Sequence, residues 1–115
     1  MAINGIHAVL YTRHPDGVRA FLKDVLELPF VDAGNGRLFF AAPVTELGIH
    51  ETEDEPSHEL FLMCDDVQAT IAQLKERGIE TATPIVDRGW GLVTELILPG
   101  GDRIGLYEPR HARPR

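Results

Sequence analysis

Hydrophobic positions fall in two rhythms along this chain. Gly5 to Tyr11 is a short apolar run rich in β-forming residues, and it predicts a strand. His14-Pro15-Asp16-Gly17 interrupts it, and Pro15 suits the first turn of a helix. Val18, Phe21, Leu22 and Val25 then recur at helical spacing, which predicts one buried stripe on that helix. Pro29 ends it. Phe30-Val31 and Leu38-Phe39-Phe40-Ala41, with Asn35-Gly36 between them, predict an antiparallel hairpin. Pro43-Val44 turns the chain into a further strand, Leu47 to His50.

The same order returns. After the polar stretch Glu51 to Pro56 comes a predicted strand, His58 to Met63. Asp65 and Asp66 are N-cap candidates, Val67, Ile71 and Leu74 form a helical stripe, and Gly78 is a fitting C-terminal glycine. Strands are predicted around Ile85-Val86, at Leu92 to Leu98 and at Arg103 to Tyr107, the last two joined by the turn Pro99-Gly100-Gly101-Asp102. The two halves also echo each other residue by residue. Glu46-Leu47-Gly48-Ile49-His50-Glu51 reads like Arg103-Ile104-Gly105-Leu106-Tyr107-Glu108, and Gly5-Ile6-His7 stands where Pro56-Ser57-His58 stands. Two similar halves predict two copies of one supersecondary unit with a ligand site between them. The expected fold is α+β, with two tandem βαβββ modules whose curved mixed sheet surrounds a central cavity. It is a single domain over residues 1–115, with module one at about 3–51 and module two at about 57–109.

Composition narrows the function. The chain has 115 residues and a net charge of −7, with 43% hydrophobic and 25% charged residues. No basic patch stands out, which argues against nucleic acid as a partner. The basic tail Arg110-His111-Ala112-Arg113-Pro114-Arg115 is short and reads as a frayed end. No apolar run approaches the roughly 18–20 residues of a membrane span, and no signal peptide precedes the first strand. The single cysteine, Cys64, excludes an intrachain disulfide and fits a cytoplasmic location.

The duplicated strand-helix-three-strand unit resembles the vicinal oxygen chelate superfamily, which includes glyoxalase I, bleomycin-resistance proteins and extradiol dioxygenases. The likeness runs from Ile3 to about Pro109. Its most specific pieces are Gly5-Ile6-His7, Phe21-Leu22-Lys23-Asp24-Val25-Leu26, and Leu98-Pro99-Gly100-Gly101-Asp102-Arg103-Ile104-Gly105-Leu106-Tyr107-Glu108-Pro109. In metal-using members each module supplies one ligand from its first strand, usually His, and one from its last strand, often Glu. The resemblance places His7 and His58 at the first-strand positions, and Gly48 and Gly105 at the last-strand positions. Glycine has no ligand atom, so no cofactor is firmly expected; the candidate set for a divalent ion (Fe, Zn, Ni or Mn) is His7 and His58 with His50 or Glu46.

Strand alternation gives the cavity wall. If His58 faces inward, so should Leu60 and Leu62, while Phe61 and Met63 face the helices. By the same rule His7, Val9 and Tyr11 point inward together, Gly48 shares a face with His50, and Gly105 with Tyr107. Glu46 shares the Gly48 face, whereas Glu51 and Glu108 have the opposite parity. Trp90, the only Trp, stands between glycines in Arg88-Gly89-Trp90-Gly91 and offers a large face for stacking. Aromatic residues near this place line the pocket in drug-binding members of the resembled superfamily. His14 and His111 read as exposed loop and tail residues. The expectation is a protein of bleomycin-resistance type that sequesters an aromatic or amphipathic compound among His7, Tyr11, His50, His58, Trp90 and Tyr107. The alternatives are a metal-dependent dioxygenase or glyoxalase-like enzyme, and a structural dimer with a vestigial pocket. A homodimer is expected on the first two readings.

Overall fold

The computed structural model describes residues 7–42, 44–46, 48–49 and 52–112. Helix α1 (Pro15–Ala20) has Pro15 in its first turn and runs on into a π-helical turn (Phe21–Val25). Strands β1 (Phe30–Asp32) and β2 (Leu38–Phe40) form an antiparallel hairpin, with Asn35 (φ 55°) and Gly36 (φ 77°) in left-handed backbone at its tip. Strand β3 (Phe61–Met63), helix α2 (Val67–Glu76), then β4 (Val86–Asp87), β5 (Gly91–Ile97) and β6 (Arg103–Pro109) follow. Among the described residues the strands make a two-stranded sheet, β1-β2, and a four-stranded sheet ordered β3-β6-β5-β4. β3 runs parallel to β6, while β4, β5 and β6 are antiparallel, so the larger sheet is mixed and the chain is α+β.

The second half takes the expected order of strand, helix and three strands. The first half does not reach it among the described residues. Residues 7–12 and 48–49 carry no regular strand, and Gly5, Ile6, Leu47 and His50 lie outside the description. The strand expected from His58 is regular only over Phe61–Met63.

Strand β6 organises the core. Ile104 and Leu106 point to one side, where they pack with Leu96, Leu98, Ile79, Val67 and Leu74. Val18 and Phe21 of the first helical segment join the same cluster, with Leu22, Val25 and Ile71 at its margin. Both helical stripes are therefore buried as their spacing predicts, and both cover one face of one sheet. Leu62 packs on this face too, across from Leu106. This corrects the expected parity of β3: Leu62 faces the helices and Phe61 faces the opposite side.

Polar contacts fix the helices to the sheet. Asp66 caps α2 by accepting from the Ala69 amide (3.0 Å), and Glu108 reaches from β6 to accept from the Val67 amide (3.0 Å). Gly78 (φ 83°) ends the helix in left-handed backbone. Helix α1 docks on the turn between β5 and β6. A Cβ on Gly17 would lie 3.0 Å from Pro99 Cβ, and Thr12 donates to Asp102. Arg77 donates to the Asp24 carbonyl (3.0 Å), tying α2 to the π-helical turn.

Cys64 lies half-buried just before the N-terminus of α2, its thiol 3.6 Å from the Tyr107 carbonyl. Burial pushes its pKa up, the charges of Glu108, Asp65 and Asp66 push the same way, and a hydrogen bond with Thr70 opposes them. Folding thus disfavours the thiolate. The thiol's contribution to stability is complete below the unfolded thiol's pKa and is lost as pH rises through the folded value. At pH 9, iodoacetamide should alkylate Cys64 in the native protein several-fold more slowly than in urea, and equal rates would refute the raised pKa. Glu108→Ala should cost about 1 kcal/mol in urea unfolding by stripping an acceptor from the first turn of α2, and an unchanged midpoint would remove Glu108 as a cap.

Candidate functional site

The face of the larger sheet away from the helices carries a cluster of rings. Phe61 lies across from Gly105 and takes the space that a side chain there would need, since a Cβ on Gly105 would clash with the Phe61 ring. Gly91 makes room in the same way for Tyr107, whose Cδ2 would be 3.0 Å from a Cβ on Gly91. The rings therefore lie directly on the backbone. Phe61 meets Tyr107 edge-on at 5.5 Å, Trp90 meets Tyr107 edge-on at 5.5 Å, and Phe61 meets Trp90 at 6.5 Å. Tyr107 is 8% exposed and forms the floor, whereas Trp90 remains 41% exposed and forms an open wall.

Two further residues close on Tyr107. Glu46, brought from the first half of the chain, accepts a hydrogen bond from the Tyr107 hydroxyl. His111 stacks on the Tyr107 ring, with centroids 6.3 Å apart and planes at 26°. Its Nε2 lies 3.4 Å from Glu46 Oε1. The cluster thus joins three aromatic rings, an imidazole and a carboxylate. It can bind by stacking and by one strong hydrogen-bond acceptor. Farther along the same face, Glu95 stands across from Gly105 and pairs with Arg103 (3.6 Å).

The structure brings Trp90, Tyr107 and Glu46 of the expected site residues together. His7 is exposed and packs edge-on to Phe39 of β2 at 5.5 Å. Tyr11 is 91% exposed, and His58 is exposed ahead of β3. His50 lies outside the described residues. Gly105 shares its face with Tyr107 as expected, yet the space it leaves is filled by Phe61 of the same chain. Glu108 faces away from the site as its parity predicts, and there it serves the α2 N-terminus.

Phe61 and His111 are the residues that sequence reasoning missed. Phe61 stands in an unbroken apolar run, Leu60-Phe61-Leu62-Met63, with no polar residue to mark the outward face. His111 stands in a basic tail whose composition signals a frayed end. Two shallow depressions elsewhere, one between α1 and the hairpin tip and one between the π-helical turn and α2, carry no comparable cluster of rings.

The sequence profile of the Glyoxalase/Bleomycin resistance protein/Dioxygenase superfamily matches residues 6–103. The chain belongs to that superfamily. Its structure is similar to that of TnmS3, an antibiotic binding protein from Streptomyces sp. CB03234. The TM-score is 0.64 at 25% identity, over 95% of this chain and 98% of that one. A structure from the mobile metagenome of V. Pseudocholerae is more distant, with a TM-score of 0.49 at 20% identity over 80% of this chain and 83% of that one. No functionally curated protein matches the chain.

Superfamily members that use a divalent metal draw ligands from first and last strands of their modules. Of the donor set expected here, His50 lies outside the described residues. Among the described residues no three His, Cys, Asp or Glu side chains come together, so Glu46 does not complete a set with His7 and His58. Glu46 is engaged by Tyr107 and His111 instead.

The fit of Phe61 over Gly105 yields a direct test. Gly105→Ala should push the Phe61 ring off Tyr107, shift Trp90 emission and destabilise the protein by about 1–3 kcal/mol. Adding Phe61→Ala should recover much of that loss. Neutral behaviour of Gly105→Ala in urea unfolding would show that the contact is not tight.

Proposed function

We propose that this protein binds a small aromatic or amphipathic compound and sequesters it by burial and stacking, without chemistry. The observation that carries the reading is the open Trp90 wall standing against the buried Tyr107 floor. Stacking on rigid rings holds a flat ligand at little entropic cost, since the rings are already fixed by packing on Gly91 and Gly105. Similarity to an antibiotic binding protein supports the same reading.

The reading includes a homodimer acting in the cytoplasm. Val31, Phe39, Val44 and Ile49 of the first half are exposed apolar residues that a second copy could cover. In that pair His7, Tyr11, His50 and His58 complete the wall around the rings, and the two modules of each chain enclose the ligand. Among the described residues no helix is long and apolar enough to cross a membrane.

The test is quenching of Trp90 fluorescence by planar aromatic compounds. Saturable quenching with a micromolar Kd is expected. Trp90→Phe, read by calorimetry, should weaken binding about tenfold by shrinking the stacking face. Absence of saturable binding across neutral, cationic and anionic aromatics would overturn the proposal. Sedimentation at micromolar concentration should give a dimer, and a stable monomer would remove the paired form of the site.

A further inference from the structure

The seat above Tyr107 is already taken, and its occupant describes what belongs there. His111 is a planar nitrogen heterocycle lying in offset-stacked geometry on the Tyr107 ring (6.3 Å, 26°). Its Nε2 edge points at the Glu46 carboxylate (3.4 Å) and at the Tyr107 hydroxyl (3.4 Å). Its Nδ1 faces the carbonyl of the adjacent Ala112 (2.8 Å). We infer that His111 is a built-in stand-in for the ligand: a planar nitrogen heteroaromatic displaces it, stacks on Tyr107 and donates from a ring or amino N–H to Glu46. This rests on the reading of the ring cluster as a binding surface.

Three features fit a displaceable occupant. The segment is held by its upstream end, where the Arg110 amide donates to the Trp90 carbonyl (2.8 Å). Around that point the Arg110 guanidinium faces Asp87 (3.5 Å) and Glu108 (3.9 Å), and solvent weakens such half-exposed ion pairs. The imidazole side chain is 37% exposed, so it leaves the seat without opening the core. Glu46 stays where it is, 14% exposed on its side chain and held by the Tyr107 hydroxyl. A half-shielded carboxylate rewards a charged or strongly polarised N–H more than water does. Trp90 stands edge-on beside the floor, so a ring placed on Tyr107 meets a second wall at its side. The net charge of −7 favours the approach of a cation over an anion. The class selected is a flat heterocycle with a donating or cationic edge.

The experiment compares two probes on the full chain, 9-aminoacridine as a flat N–H-bearing cation and anthraquinone-2-sulfonate as a flat anion without a donor. Both are titrated by Trp90 quenching into the unmodified protein and into His111→Ala, Glu46→Gln and the double variant. His111→Ala should bind 9-aminoacridine about tenfold more tightly, because the seat no longer has to be vacated. Glu46→Gln should abolish the preference for the cation. In the unmodified protein, saturation with 9-aminoacridine should move the His111 ring-proton shifts to those of an unstacked histidine. Equal or weaker binding in His111→Ala at an unchanged unfolding midpoint would overturn the inference and leave the binding reading intact. A cation preference that survives Glu46→Gln, or His111 shifts that stay in place at saturation, would also overturn it. If neither probe binds any of the proteins, the inference and the binding reading fall together.

Discussion

The rest of the structure depends on β6 being buried on both faces. One face must match the helices, and Ile104 and Leu106 do so by joining a core built from α1, α2 and β5. The other face carries the ring cluster, and Gly105 and Tyr107 make room for it and build it by opposite means. Gly105 removes a side chain so that a neighbour can lie on the backbone, and Tyr107 supplies the ring on which the cluster is built. Because strand side chains alternate with period two, a slip of one residue in β6 would exchange these roles entirely. The seven-residue register with β5 and the parallel pairing with β3 hold it against that slip.

Two glycines thus shape the site from beneath. A conventional pocket is a hollow between side chains. Here Gly91 and Gly105 lower the floor, and Phe61 and Tyr107 fill the depth so gained with flat apolar surface. Glu46 then sets the polarity of the floor through the Tyr107 hydroxyl. On the proposed binding role, the arrangement favours recognition by shape and by one acceptor. Charge alone plays a smaller part, since the histidine that meets Glu46 also stacks on the floor.

Much of this was legible in the sequence. The helical stripes were carried by Val18, Phe21, Val67 and Leu74, and all four are buried. The caps were carried by residues with little conformational choice, such as Asp66 before α2 and Gly78 after it. The Asn35-Gly36 hairpin followed from the left-handed backbone its tip requires. Alternation and isolation between glycines are local signals, and the residues they single out, Trp90, Tyr107 and Glu46, lie together in the ring cluster. Sequence reasoning failed on β3 because Leu60-Phe61-Leu62-Met63 is apolar throughout, and only pairing with β6 decides which residue faces which way. It failed on His111 because a tail's composition says nothing of a ring it meets after folding. Both helical segments cover one sheet, and the first half holds only the β1-β2 hairpin as regular strand among the described residues.

The docking of Gly17 against Pro99 has a consequence for the order in which the molecule is made. Helix α1 is made before the turn on which it rests, since Gly17 precedes Pro99 by 82 residues (99 − 17). Leu98, Ile104 and Leu106, which complete the core around Val18 and Phe21, are equally late. A helix of six residues with a single π-helical extension is too short to persist alone in water. The first half therefore waits for the second to supply its packing surface. Its apolar stripe gains a packing surface only once Leu98, Ile104 and Leu106 have been made, so the two halves must fold as one unit.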